Sequence, residues 1–308
     1  MSVDNAPLVS VVVTTYNRKN LLKETLSSIL NQTYSNFELI VVDNFSNYNF
    51  FKHINSFNDN RIKAYQNKNN DIIATNRNVG IKNAKGDLIA FCDDDDLWEP
   101  NKLEIQMKYL QDSNLIGVGS TMKIIGTTII RPVIKKNKQL TLLDLYKSNK
   151  VALSSLIVEN TGLLFCEDER YKTCEDWYFQ IELLQKCGRK FLLLKQPLIH
   201  YRKHSLNISK EKSFLDNKLN VITHFKMDMP SEIYPNALFK AYIHNIITSL
   251  RLGKSTKKYL KVASSLTLSF KQKLIVFIFK FIAILPSKFI KHIVAYPYNT
   301  NIFNKFLN

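Results

Sequence analysis

Leu88-Ile89-Ala90-Phe91-Cys92-Asp93-Asp94-Asp95-Asp96-Leu97-Trp98 joins a short apolar run to four consecutive carboxylates. The run lies between Gly86 and the acids, and its continuity predicts a strand buried on both faces. Four carboxylates at the end of such a strand repel one another and lose hydration. They persist where something positive shares the site, and a hard divalent cation with oxygen ligands, Mg2+ or Mn2+, meets that need. The alternative is a solvated acidic turn capping a helix at Asn101.

The segments before this run share its character. Val9-Ser10-Val11-Val12-Val13-Thr14-Thr15 is β-branched and continuous, as a doubly buried strand should be. Residues 20–32 carry Leu22, Leu26, Ile29 and Leu30 at helical spacing, with Asn20 as the expected N-cap. Phe37 to Val42 is a second buried strand that ends at Asp43, a short strand follows near Ile62–Tyr65, and a helix spans about 72–84. Alternating strands and helices predict a mostly parallel α/β sheet flanked by helices. Ligands of such sheets bind beyond the carboxyl ends of the strands. Thr14 to Arg18, Asp43-Asn44 and Asp93 to Asp96 all fall there, so the three polar clusters should converge.

Glycine is scarce, at 8 residues, and neither a G-x-G-x-x-G nor a G-x-x-x-x-G-K-[ST] stretch occurs. That weighs against dinucleotide oxidoreductases and P-loop enzymes. Downstream, strand segments are expected over 115–131 with a turn at Gly126-Thr127. A short helix is expected at 142–147, and a longer one over 174–187 that stops at Gly188.

The 308 residues are 45% hydrophobic and 22% charged, those of an ordinary folded chain with room for about two domains. The formal charge of +17 is unevenly placed: residues 233–308 contain 12 Lys or Arg and no Asp or Glu. Met1 to Pro7 holds no basic and apolar leader, and the four scattered cysteines suit free thiols in a reducing compartment. The chain is expected to be cytoplasmic.

Taken in order, Val11-Val12-Val13-Thr14-Thr15-Tyr16-Asn17-Arg18, Leu39 to Asp43, Arg77-Asn78-Val79-Gly80-Ile81, Ala84-Lys85-Gly86-Asp87, Asp93 to Asp96 and Glu175-Asp176-Trp177 resemble a family 2 glycosyltransferase of the GT-A fold, of the bacterial surface-polysaccharide type. The likeness covers residues 8 to about 209. It implies an inverting transferase that moves a sugar from a nucleotide diphosphate sugar, a UDP-sugar first, to a hydroxyl of a lipid-linked saccharide. A nucleotide-sugar-binding half over 1–114, an acceptor-binding half over 115–232 and a basic helical region over 233–308 follow from it.

Within the resemblance, Asp95 and Asp93 form the D-x-D pair that holds the cation, with the ribose as the alternative partner of Asp93. Asp94, Asp96 and Glu175 contact the donor sugar or support the site, with an outward-facing acid as the preferred reading of Asp94. Thr14, Tyr16 and Arg18 wall the nucleotide pocket, and Asp43 resembles a uracil-binding acid or else satisfies its own turn. Arg77 pairs either with a phosphate or with Asp93. Asp176 is the expected base, since inversion needs one carboxylate to take the acceptor proton; its rival reading is a helix cap. Arg202 and His204 lie in a segment resembling the one that closes over the diphosphate. Two departures stand out: Asn44-Phe45 where the family often has an acid and a glycine, and Thr75-Asn76 where small residues are usual.

From Lys271 to Val294 apolar runs alternate with lysines, and Lys273 and Lys280 fall within about 20° of each other on a helix. The uninterrupted apolar stretches fall short of the roughly 20 residues of a spanning helix. They suit a basic helix on an anionic membrane surface, which places the chain peripherally at the inner face of a bacterial membrane. The rival reading is a helix packed on the rest of the chain. No nucleic acid is expected, because no readout motif accompanies the charge. A sugar nucleotidyltransferase is the nearest enzymatic alternative, but it would need a Gly-rich phosphate loop after the first strand. A non-catalytic basic module for membrane or nucleic acid is the other.

Overall fold

β1 (Val9–Thr15) is buried at every position. Val9, Val11 and Val13 pack in one core with Leu22, Leu26 and Ile29 of α1 (Lys19–Leu30), which is why the valines and the helical leucines are spaced as they are. β2 (Phe37–Asp43), α2 (Phe50–Asn55), β3 (Ile62–Gln66), α3 (Ile73–Asn83) and β4 (Leu88–Asp93) follow in alternation. α3 packs against β1 and β2. The computed structural model describes residues 6–202, 212–251, 253, 255–266 and 269–284. The N-cap of α1 is Arg18, two residues before the expected Asn20.

The remaining elements of the first unit are β5 (Leu97–Trp98), α4 (Lys102–Tyr109), β6 (Leu115–Ile124), β7 (Ile130–Arg131), β8 (Lys138–Leu140), α5 (Leu142–Lys147), β9 (Ile157–Glu159), α6 (Glu175–Cys187) and β10 (Lys190–Tyr201). One sheet runs β3-β2-β1-β4-β9-β6-β10-β5, with β7 added to β6 and β8 to β10. The first four strands are parallel, as predicted. β9 then pairs antiparallel with both β4 and β6, so the second half of the sheet is mixed. The β6–β7 hairpin turns near Gly126, whose φ of 76° glycine tolerates readily.

β10 has no counterpart among the sequence expectations. Pro197 sits inside it, and proline ordinarily argues against an interior strand. The register shifts around Pro197 show how it is absorbed: the strand bulges there and resumes its pairing with β6.

A second unit, Glu211–Asn308, holds α7 (Lys212–His224), α8 (Ile233–Arg251), α9 (Lys257–Ser265) and α10 (Phe270–Ile282). Its core joins Phe239, Ile243 and Ile246 of α8 to Tyr259 and Leu260 of α9 and to Ile275 and Phe279 of α10. Helix α7 packs on α8. The change of charge at residue 233, used in the sequence to divide the chain, therefore lies inside this unit, because α7 packs with the basic helices. Among the described residues no helix is long and apolar enough to cross a membrane.

Gly86, at the turn into β4, sits against the backbone of β1. A Cβ there would lie 2.6 Å from the Leu8 carbonyl oxygen and 2.7 Å from the Ser10 nitrogen, and neither can yield without moving a central strand. Gly86→Ala should therefore cost about 1–3 kcal/mol of unfolding free energy. Chemical denaturation would read this; an unchanged midpoint would show that β1 can move aside.

Candidate active site

Strand register brings the polar clusters together. Parallel pairing sets Thr14 opposite Asp93 and Thr15 opposite Asp43, and β3 adds Gln66 opposite Asp43. Thr14 is buried, and Tyr16, one residue past the strand, is 52% exposed and open for stacking on a planar ligand.

The four aspartates diverge. Only Asp93 opens to solvent, with 42% of its side chain exposed. Asp94 is buried, which corrects the reading of it as an outward-facing acid. It accepts from Thr15 Oγ1 at 2.7 Å and from Arg18 Nη1 at 2.8 Å. The reason is the turn after β4, which points Asp94 back at the end of β1. The same Arg18 nitrogen reaches Asp95 Oδ2 at 2.8 Å. Asp96 is buried and accepts from the Arg202 backbone N–H at 3.2 Å, while Thr25 of α1 donates to its carbonyl.

Burial pushes the Asp94 carboxyl up to about 6 despite Arg18, and raises Asp96 well above the carboxylate range, with Asp93 and Asp95 adding to it. Behind the run lies Lys102, wholly buried, with Nζ 3.8 Å over the Trp98 ring and bonded to Gln106 Oε1 at 2.8 Å. Burial lowers Lys102 to about 7.

Arg77 ties the two halves of the first unit. Its guanidinium is buried, with Nη1 on Glu175 Oε1 and Nη2 3.0 Å from Asp93 Oδ1. Of its two expected roles, pairing with Asp93 is the one the structure displays. Glu175 and Asp176 open α6, whose N-cap is Cys174, so Asp176 is not the capping residue. Asp176 is partly exposed and accepts from Asn149 Nδ2 at 2.7 Å. Burial raises its carboxyl and Asp93 adds to the rise, while Arg77, Asn149 and the Trp177 backbone N–H oppose it. For Glu175, burial outweighs Arg77 and moves the carboxyl to about 7.

Asp43 is fully buried and its carboxylate is already engaged. It accepts from the Ser46 hydroxyl, from the Ser46 N–H at 2.9 Å and from Gln66 Nε2 at 2.9 Å. A carboxylate offers about four acceptor positions, and these bonds occupy three of them. The turn after it is strained: Phe45 holds φ 55° and is 58% exposed, in a conformation that bulky side chains rarely adopt. Arg202 is committed to Glu24 at 2.5 Å and to the Asp95 carbonyl at 3.1 Å. His204 lies outside the described residues.

Three supporting residues carry no sequence signal. Ser154, in a short 3-10 turn, donates to neither strand pattern nor motif, yet its hydroxyl accepts from the Asp93 N–H at 3.1 Å and its side chain bonds Asp96. Asn149 orients Asp176, and Thr15 holds Asp94. The site thus gathers six carboxyl groups, Asp93 to Asp96, Glu175 and Asp176, around two guanidinium groups. Such an excess of hard oxygen donors suits a divalent cation. Among the described residues no three His, Cys, Asp or Glu side chains converge into a ready-made cage. Of the expected pair, Asp93 presents an open carboxylate, whereas Asp95 is buried with Oδ2 on Arg18, so a cation there would take most of its ligands from phosphate and water.

Comparison with known proteins follows the same stretch of chain. The family described as glycosyl transferase family 2 matches residues 10–158. The UDP-Glc:alpha-D-GlcNAc-diphosphoundecaprenol beta-1,3-glucosyltransferase WfaP of Escherichia coli is 30% identical over 205 residues, 67% of this chain and 81% of that protein. The chain belongs to glycosyltransferase family 2. This glycosyltransferase is also 32% identical over 178 residues to WfgD of Escherichia coli, a protein of the same description, covering 58% of this chain and 70% of that one. The putative teichuronic acid biosynthesis glycosyltransferase TuaG of Bacillus subtilis is 27% identical, over 67% of this chain and 83% of that one. Among solved structures, Staphylococcus aureus TarS residues 1–349 with UDP superposes with a TM-score of 0.63 at 18% identity, over 97% of this chain and 89% of that one. The chain spans about half of the longer TarS chain, 54%. The fold is therefore GT-A, and the enzyme is a glycosyltransferase of bacterial surface-polysaccharide biosynthesis.

Arg77 gives this glycosyltransferase a sharp test. Arg77→Met strands Glu175 and Asp93 and should cost about 3–5 kcal/mol, whereas adding Glu175→Met should recover a large part of it, because replacing a buried pair with apolar groups is often close to neutral. Strictly additive losses in urea unfolding would show that the two groups do not act as a pair.

Proposed function

We propose that this glycosyltransferase inverts configuration at the sugar it transfers, taking it from UDP and passing it to a hydroxyl of a lipid-linked saccharide acceptor in capsule, O-antigen or exopolysaccharide synthesis. The observation that carries the reading is the chain Asp93–Arg77–Glu175, which fixes Asp176 beside the carboxyl end of β4. One carboxylate, on the first turn of α6 and held by the Trp177 N–H and Asn149, then stands near the donor end of the sheet. The acceptor hydroxyl loses its proton to Asp176 as its oxygen attacks the anomeric carbon, and the bond from that carbon to the diphosphate oxygen breaks on the opposite face. A single base suffices, unlike the carboxylate pair of a glycoside hydrolase.

The UDP assignment draws on the names of WfgD and WfaP and on TarS, which is solved with UDP and with UDP-GlcNAc. The diphosphoundecaprenol in the first two names supports a lipid-linked acceptor. A divalent cation, as in the Mn2+ complex of the fold neighbour from Pyrobaculum calidifontis, would be held by Asp93 and Asp95 and would neutralise charge on the departing diphosphate. Asp94 and Arg18 keep the run in place beneath it, Tyr16 stacks on the base, and the remaining acceptor position of Asp43 takes a base N–H. Arg202 positions Asp95 and Asp96, and Arg77 positions Asp93 and Glu175.

Asp176→Asn should lower kcat by about 100- to 10,000-fold, the usual worth of a general base, while UDP affinity stays within a few-fold of the parent. UDP release with Mg2+ or Mn2+, measured against undecaprenyl-diphosphate saccharides, reads the first; calorimetry reads the second. Undiminished turnover would remove Asp176 from the mechanism. The base must be ionised, and burial raises its carboxyl, so activity should be lost as pH falls through a point above the ordinary aspartate range near about 4. An acid limb of kcat/KM at or below that range would contradict the assignment.

A further inference from the structure

Helix α10 is apolar on two opposite faces, and among the described residues one of them packs in a core while the other stands exposed. Ile275, Val276, Phe279 and Ile282 are buried in the core of the second unit. Leu274, Phe277, Ile278 and Phe281 stand exposed, at 46%, 67%, 41% and 60%. At about 100° per residue these four cover an arc of about 100° on the side turned away from that core. A single exposed leucine is ordinary; two phenylalanines, a leucine and an isoleucine side by side mark a contact surface. Ile284, just past the helix, is 78% exposed and extends it.

Charge decides what the surface meets. Lys273 and Lys280 are exposed and lie about 40–60° beyond Phe277 on the same helix, along one border of the apolar arc. Exposed Lys257 and Lys261 add to them from α9 of the same unit, where Lys258 is paired with Asp216 of α7 at 3.4 Å. Residues 233–308 hold no Asp or Glu. A second copy docked face to face would bring like charges together with no carboxylate on α8, α9 or α10 to meet them. An anionic surface that is apolar beneath has no such conflict.

We propose that this face of α10 docks on an anionic phospholipid surface, with Phe277 and Phe281 at the boundary between headgroups and acyl chains and Lys273 and Lys280 among the phosphates. At 13 residues the helix is about 20 Å long, short of the roughly 30 Å hydrocarbon core, so it lies in the interface and does not cross it. Long lysine stems suit that border, since their methylenes stay apolar while the ammonium reaches phosphate. The lipid-linked acceptor of the proposed function gives the surface a purpose, but the inference stands on the helix itself and its test reads binding, not transfer.

The full-length chain should co-sediment with phosphatidylcholine vesicles containing about 30% phosphatidylglycerol and much less with phosphatidylcholine alone, and its binding should fall as salt shortens the Debye length from about 10 Å to about 3 Å. Phe277→Ser with Phe281→Ser should weaken partitioning at least about tenfold. Lys273→Gln with Lys280→Gln should weaken it by roughly 30-fold on the anionic vesicles and hardly at all on neutral ones. Thermal midpoints close to the parent's show that each variant is folded, and the lysine pair serves if the phenylalanine pair is not. Parental binding by either folded variant overturns the proposal, as does equal binding to neutral vesicles or none to anionic ones. So does a dimer in sedimentation equilibrium that Phe277→Ser and Phe281→Ser dissolve without changing vesicle binding. A chain that transfers sugar yet ignores vesicles defeats this inference alone; one that binds vesicles while Asp176→Asn remains active defeats only the assignment of the base.

Discussion

Excess negative charge at the carboxyl end of one buried strand is the constraint around which the first unit is arranged. β4 must be apolar to lie between β1 and β9, yet its end carries a row of carboxylates. Unpaired, such groups are among the costliest things to bury. The fold answers with two guanidiniums from different directions: Arg18 from the start of α1, on Asp94 and Asp95, and Arg77 from α3, on Asp93. The answer is deliberately incomplete in charge, since Asp94, Asp96 and Glu175 are all held above the ordinary carboxylate range. A site poised in this way favours the arrival of further positive charge.

The same arginine joins the halves. Arg77 reaches from Asp93 to Glu175, residues 82 positions apart, and so registers the end of the parallel sheet against the start of α6. Ser154 and Trp98 reinforce the join from behind, through the Ser154 hydroxyl on the Asp93 N–H and the Trp98 indole N–H on the Ser154 carbonyl at 3.0 Å. The carboxyl end of β4 and the start of α6 are thereby held by one hydrogen-bonded network. In such a network the loss of one partner costs more than the pair contributes.

Continuous valine and isoleucine runs made β1, β2 and β4 legible, because a strand buried on both faces cannot be anything but apolar. Their ends were legible for the same reason: polar residues at a strand terminus mark where the cover of helices stops. The second half was harder to read. β9 is three residues long, and β10 carries Pro197 in its interior, so neither shows a period. The site followed the same division. Asp93, Asp95, Arg77 and Asp176 stood within recognisable stretches, whereas Thr15, Asn149 and Ser154 act through individual hydrogen bonds and leave no pattern.

The sequence by itself determined the parallel α/β beginning, the convergence of three polar clusters at strand ends and the segregation of basic charge beyond residue 232, since each of these is set by local residue type and period. Tertiary structure alone decided which carboxylate faces which cation. It turned Asp94 inward, left Asp93 open, committed Arg77 to Glu175 and left one face of α10 bare. Those outcomes depend on directions set by turns and on partners far away along the chain, and no local pattern encodes a direction in space.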